Sequence, residues 1–140
     1  MSLAKKIFII VGALFVCIIL FLVCFKKHSN PVKQNIILKD SYAREAYLNL
    51  KGWDVDLISG SSIRIPESFE GIYSTYAEIQ KKQNLPLESY KGETAERFLY
   101  KVNNYNGDYD VYAELLISGN ELVAAALIQQ TPDGFIKELY

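Results

Sequence analysis

From residue 7 to residue 25 the chain carries no charged or strongly polar side chain (IFIIVGALFVCIILFLVCF). An apolar run of about 18 or more residues spans a bilayer as a helix. Lys5 and Lys6 precede this run and Lys26 and Lys27 follow it, where lysines extend their ammonium groups to the headgroups. The pattern predicts a short tail over 1–6, a transmembrane helix over 7–25 and a juxtamembrane stalk over 26–40. The run is longer than the apolar core of a cleaved signal peptide and no Ala-x-Ala site follows it. Valine, not a small residue, precedes both Cys17 and Cys24, which argues against a lipoprotein. An uncleaved signal anchor is expected. Pro31 and its polar neighbours argue against continuing the helix into the stalk.

Beyond residue 40 the periodicity changes. Ala43, Ala46, Tyr47 and Leu50 follow helical spacing, with Ser41 as the expected N-cap, Gly52 as the left-handed residue beyond the end and Trp53 folding back. Trp53, Val55 and Leu57 then alternate with aspartates, and Ile63 and Ile65 alternate with Ser62 and Arg64. A loop at Ser59-Gly60-Ser61 would make these a hairpin. Leu57 would face Ile63, Val55 would face Ile65 and Asp56 would face Arg64, with all the apolar partners on one face.

A second helical pattern runs through Phe69, Ile72, Tyr73, Tyr76, Ile79 or Gln80, and Gln83, predicting that the tyrosines form its core stripe. Asn84 suits a left-handed cap and Pro86 forbids continuation. Three strands follow, joined at Asn106-Gly107 and Gly119-Asn120. The first turn sets Val102 against Val111, Tyr100 against Ala113 and Phe98 against Leu115. The second sets Ile117 against Leu122, Leu115 against Ala124, Ala113 against Ala126 and Val111 against Ile128.

The expected fold class is α+β: an N-terminal transmembrane helix, then a helix–hairpin–helix–three-stranded antiparallel meander over 41–140. The second sheet face (Arg97, Leu99, Lys101, Tyr112, Glu114, Leu116, Val123, Ala125, Leu127) is too apolar for a solvated one. Either the first helix or the stalk covers it, or a partner does.

Charge and chemistry narrow the function. Half of the 140 residues are hydrophobic, and much of that excess is the 7–25 block. Without residues 1–27, 11 basic groups stand against 16 acidic ones, a poor match for nucleic acid. Both cysteines lie inside the apolar block, so the rest has no thiol or disulfide chemistry. The single histidine, His28, abuts the same block, which removes a histidine triad or histidine-ligated metal from the folded part. No phosphate loop or dinucleotide fingerprint is present. Asp108 and Asp110 offer too few ligands for a calcium loop. Asp54, Asp56, Glu114 and Glu121 fall at turn or solvent-facing strand positions. No catalytic, metal or cofactor residue is assigned. Tyrosine remains: ten in the chain, of which Tyr90, Tyr105, Tyr109 and Tyr112, together with Leu116, make a candidate partner surface.

The stretches YLNLKGWDVD, IRIPESFEGIYSTYAEIQKKQNLPLESYKG, YKVNNY and the DGF at Asp133 to Phe135 resemble a family of uncharacterised bacterial proteins. These are known mainly from Gram-positive, clostridia-like genomes and catalogued as a domain of unknown function. The resemblance covers roughly residues 40–137 and is most specific from Phe69 to Gly92. It departs at Asn84, where a glycine is usual, and at Ala124 to Ala126, where the family is glycine-rich. It implies a single membrane anchor and an extracytoplasmic domain, and it brings no activity, cofactor or catalytic residue. The lysine count alone does not favour a cytoplasmic N-terminus, but long domains translocate largely regardless of flanking charge. A single-pass topology is expected, with the N-terminus cytoplasmic, residues 7–25 in the lipid bilayer and the C-terminal domain outside. The functional expectation is a non-catalytic module binding a protein or cell-envelope partner. A glycan hydrolase using paired carboxylates and an architectural spacer are the alternatives.

Overall fold

The computed structural model describes residues 35–140. The expected anchor over 7–25 lies outside them, and among the described residues no helix is long and apolar enough to cross a membrane. Among the described residues two helices, α1 (Ser41–Leu50) and α2 (Ile72–Lys82), accompany five strands: β1 (Val55–Arg64), β2 (Thr94–Val102), β3 (Val111–Ser118), β4 (Glu121–Gln129) and β5 (Ile136–Lys137). A 3₁₀ turn, Leu87–Tyr90, precedes β2. The strands form one five-stranded sheet in sequential order with every neighbour antiparallel. This corrects the expected helix–hairpin–helix–three-stranded meander at its hairpin and at its strand count.

The hairpin fails at Gly60. Val55–Arg64 is one continuous strand laid along β2, with Asp56 opposite Lys101 and Gly60 opposite Phe98. Gly60 lacks a positive φ; its role is close approach, because a Cβ there would lie 3.2 Å from Phe98 Cε1. A bulge at Ile58 switches the side-chain parity. Val55 therefore joins one face of the sheet and Ile63 and Ile65 the other. The bulge, Gly60 and the flanking charges also blunt an otherwise long open edge.

Both helix ends obey local chemistry. Asp40, not Ser41, caps α1: its Oδ1 accepts from the Ala43 N–H at 2.8 Å. Gly52 adopts φ 92° and Asn84 φ 57°, the left-handed positions expected of them. Trp53 N–H returns to the Leu48 carbonyl, and Leu85 N–H to that of Gln80, closing each helix with paired reverse bonds.

The β2–β3 register matches expectation at Val102–Val111, Tyr100–Ala113 and Phe98–Leu115. The β3–β4 register matches only as far as Ile117–Leu122. A bulge then sets Leu116 opposite Ala124, so Leu115 faces Ala125 and Ala113 faces Leu127. The extra residue turns Ala125 and Leu127 into the first core and leaves Val123 and Ala124 in the second. None of Ala124 to Ala126 has a positive φ, so alanine replaces glycine there without backbone strain.

The two faces carry separate cores. Tyr100, Val102, Ala113, Leu115, Leu122 and Leu127 pack under Leu38, Leu48 and Leu139. On the other face Leu116, Val123 and Ala124 pack with Ile65, Leu87 and Ala95, flanked by Phe69, Tyr76 and Tyr90. The first helix and the stalk residue Leu38 thus cover the first face, not the second as expected. Residues 65–69, α2 and the 3₁₀ turn cover the second.

The outer edge of β4 is closed piecewise. Ile36 and Leu38 bond its beginning, with Leu122 N–H on the Ile36 carbonyl and Leu38 N–H on that of Asn120, both 2.8 Å. β5 closes its end. Between them α2 supplies two side-chain amides. Gln80 Oε1 accepts from Ala125 N–H and Gln83 Nε2 donates to the Ala125 carbonyl, each at 2.8 Å. Gln83 Oε1 also accepts from Leu139 N–H at 2.8 Å. Both glutamines are buried, and together they stand in for the strand that the edge lacks.

Candidate functional site

That attachment fixes the C-terminal half of α2 against β4, and a cavity of about 450 Å³ opens beside its N-terminal half on the second face. Ile72, Tyr73 and Tyr76 of α2 form one wall. Ile63, Ile65, Pro66 and Phe69 form a second, and Leu116 and Ile128 contribute from the sheet. Tyr73 was expected in the core stripe, but it is 52% exposed and its neighbour Ile72 is 66% exposed. The stripe is split: Ala77, Ile79 and Gln80 are buried, while the first turn stands over the opening.

Three polar groups meet inside this apolar lining. Glu114, expected at a solvent-facing position, is only 7% exposed. Its Oε1 accepts from the Tyr76 hydroxyl at 2.9 Å and its Oε2 accepts from Arg97 Nε. Arg97 and Glu114 are diagonal neighbours across β2 and β3, since Leu99 faces Glu114 and Arg97 faces Leu116. Ala126, opposite Glu114 on β4, adds no polar partner. Burial holds the Tyr76 phenol well above its ordinary pKa, with the Glu114 charge and hydrogen bond reinforcing it and Arg97 opposing. Glu114 is the single carboxylate among the described lining residues. Among the described residues no cluster of acidic, histidine or cysteine side chains could hold a metal.

The expected partner surface does not assemble. Leu116 is buried in the cavity wall and Tyr112 lies on the same face of β3, half-buried and opposite Lys101 and Ile128. Tyr105 instead packs with the first core, its ring 6.1 Å from Trp53 and 5.9 Å from Phe135, with Lys137 Nζ donating to its hydroxyl at 3.1 Å. Tyr109 is 64% exposed in the β2–β3 connection. Tyr90 donates its hydroxyl to Glu121 Oε2 at 2.6 Å. Tyr76, Arg97 and Glu114 were missed. Their signal was an opposite-charge diagonal pair on a face otherwise rich in leucine.

The raised phenols have a measurable consequence. Tyr90 is pushed up to about 12, chiefly by its bond to Glu121. Tyr47 is pushed to about 12, chiefly by burial. Burial also raises Tyr100 against the opposing Arg44. A folded-state pKa above the unfolded value of about 10 contributes stability below pH 10 that is lost as pH climbs through the folded value. The protein is therefore expected to lose stability between about pH 10 and 12. Phenolate absorbance should show late-titrating tyrosines that disappear together with the helical circular-dichroism signal. Free-tyrosine titration of all the phenols in a still-folded protein would contradict this.

Searches of curated proteins and of solved structures return no match to the chain. A family model described as a domain of unknown function (DUF4830) matches residues 47–127, from within α1 to within β4, and so includes Tyr76, Gln80, Gln83, Arg97 and Glu114. The match spans more than half of the chain, and the protein belongs to that DUF4830 family.

Proposed function

We propose that the domain is a non-catalytic binding module, held at the outer face of the cell membrane by the apolar run over 7–25, and that its binding site is the cavity between α2 and the second sheet face. One observation carries this reading. The first turn of α2 leaves Ile72 and Tyr73 exposed over a cavity of about 450 Å³, within the roughly 300–1,000 Å³ of ligand sites. An amphipathic helix with no use for this space would gain by collapsing those side chains onto Leu116 and Ile128.

The experiment is methyl NMR on the full chain labelled at isoleucine, titrated with the neutral apolar probe N-phenyl-1-naphthylamine. Shifts are expected at Ile63, Ile72, Ile128 and Ile136, which line the cavity. They should vanish in Leu116→Trp, which fills the space. Because overpacking costs about 1–3 kcal/mol, Ile72→Asp serves as the second variant. It alters an exposed rim residue at a helix N-terminus, where an acid is tolerated, and should weaken the probe several-fold. Binding that is indifferent to both substitutions would overturn the reading.

A further inference from the structure

We propose that the cavity takes an alkyl monocarboxylate, its chain in the apolar lining and its carboxylate on the guanidinium of Arg97. This deepens the binding-module reading and rests on it. Among the described lining residues Arg64, Arg97 and Glu114 are charged, two positive against one negative. Both Glu114 oxygens are already engaged, one accepting from the Tyr76 hydroxyl and the other from Arg97 Nε; that ion pair nets to zero, so the surplus positive charge of the lining is that of Arg64. The Arg97 bond uses Nε alone, so Nη1 and Nη2, the donor fork that suits a carboxylate, take no part in it. The Arg97 side chain is 32% exposed, deep enough for a charge-assisted bond and still open to a ligand. Arg64 adds a second cation at the rim. Among the described residues it pairs with Glu67, and both partners are largely exposed, so that pair gives way at little cost.

The rest of the lining decides between an amphiphile and a peptide. β2 and β3 are paired on both sides, so at the cavity floor neither presents a free edge to a peptide backbone. Peptide amides carried into this lining would go unpaired, at a cost of about 1–3 kcal/mol each. A ligand with one polar end and an apolar chain avoids that cost. Glu114 then also positions Arg97: one of its oxygens holds the guanidinium Nε and the other is held by the Tyr76 hydroxyl.

The test uses dodecanoate, dodecanol and dodecyltrimethylammonium, below their micellar concentrations, on the isoleucine-labelled full chain. The cavity methyls are expected to saturate with dodecanoate at a Kd about tenfold or more below that for dodecanol, and not with the ammonium compound. Arg97→Gln should abolish the preference for dodecanoate while keeping the dodecanol shifts. Arg64→Gln, on the exposed rim where folding is not at stake, should weaken dodecanoate several-fold and leave dodecanol unchanged. Equal binding of dodecanoate and dodecanol would overturn the carboxylate and leave the cavity standing. No shift at the cavity isoleucines with any probe would overturn both. A response to an apolar tripeptide but not to dodecanoate would overturn the amphiphile.

Discussion

Gln83→Leu is expected to destabilise the domain by about 2–6 kcal/mol, read as a fall in thermal midpoint of at least about 8 °C. Leucine keeps the apolar volume and adds no charge, so the loss comes from hydrogen bonds. Gln83 Nε2 serves the Ala125 carbonyl and Gln83 Oε1 serves Leu139 N–H. Without the amide, one buried carbonyl and one buried N–H have no partner, and each costs about 1–3 kcal/mol. The comparison variant is Lys82→Ala, one residue away. It breaks an exposed ion pair with Glu138 and should leave the midpoint essentially unchanged. Equal effects from the two substitutions would mean that the glutamine amides do not close the β4 edge.

Gln83 also shows where sequence reading stops. Its position on the buried stripe of α2 follows from spacing alone, and so do the Asn84 cap and the Gly52 cap. These are local: a helix end needs a left-handed residue, and few residue types supply one. The partners of Gln83 lie 42 and 56 residues away, and no spacing announces them.

The two bulges mark the same limit. Alternation about Ser59-Gly60-Ser61 is equally consistent with a hairpin and with one strand whose parity changes at Ile58. Only pairing with β2 distinguishes them. The extra residue in β4 reassigns Ala124 to Leu127 between faces, although the turn at Gly119-Asn120 was read correctly. The polar centre was missed for a related reason. Glu114 sits in an alternating strand at a position expected to face solvent, and it is buried because α2 places Tyr76 over it, a contact spanning 38 residues. The expected tyrosine surface is spread over both faces, since Tyr105 packs with the first core and Tyr90 and Leu116 with the second.

Leu139→Ala is expected to cost about 2–5 kcal/mol, as for a leucine fully inside a core. Leu139 is completely buried under the first sheet face. Its carbonyl accepts from Trp53 Nε1 at 2.6 Å and its N–H is held by Gln83. Trp53 is the only tryptophan, so its fluorescence reports directly on this clasp. In the variant the emission should shift to the red and the denaturation midpoint should fall, with the fluorescence change preceding global unfolding if the strap detaches first. Wild-type emission and midpoint together would show that residues 136–140 add nothing to the fold. The strap also couples the two large effects. Once Leu139 is loosened, Gln83 Oε1 no longer serves Leu139 N–H while Nε2 keeps the Ala125 carbonyl, so adding Gln83→Leu should cost less than it does alone. The Gln83→Leu, Leu139→Ala double variant is therefore expected to fall short of the sum of the singles by about 1 kcal/mol or more, as for residues sharing one hydrogen-bond network. Strict additivity would place the strap and the β4 edge in separate units, contrary to the geometry in which one glutamine holds both.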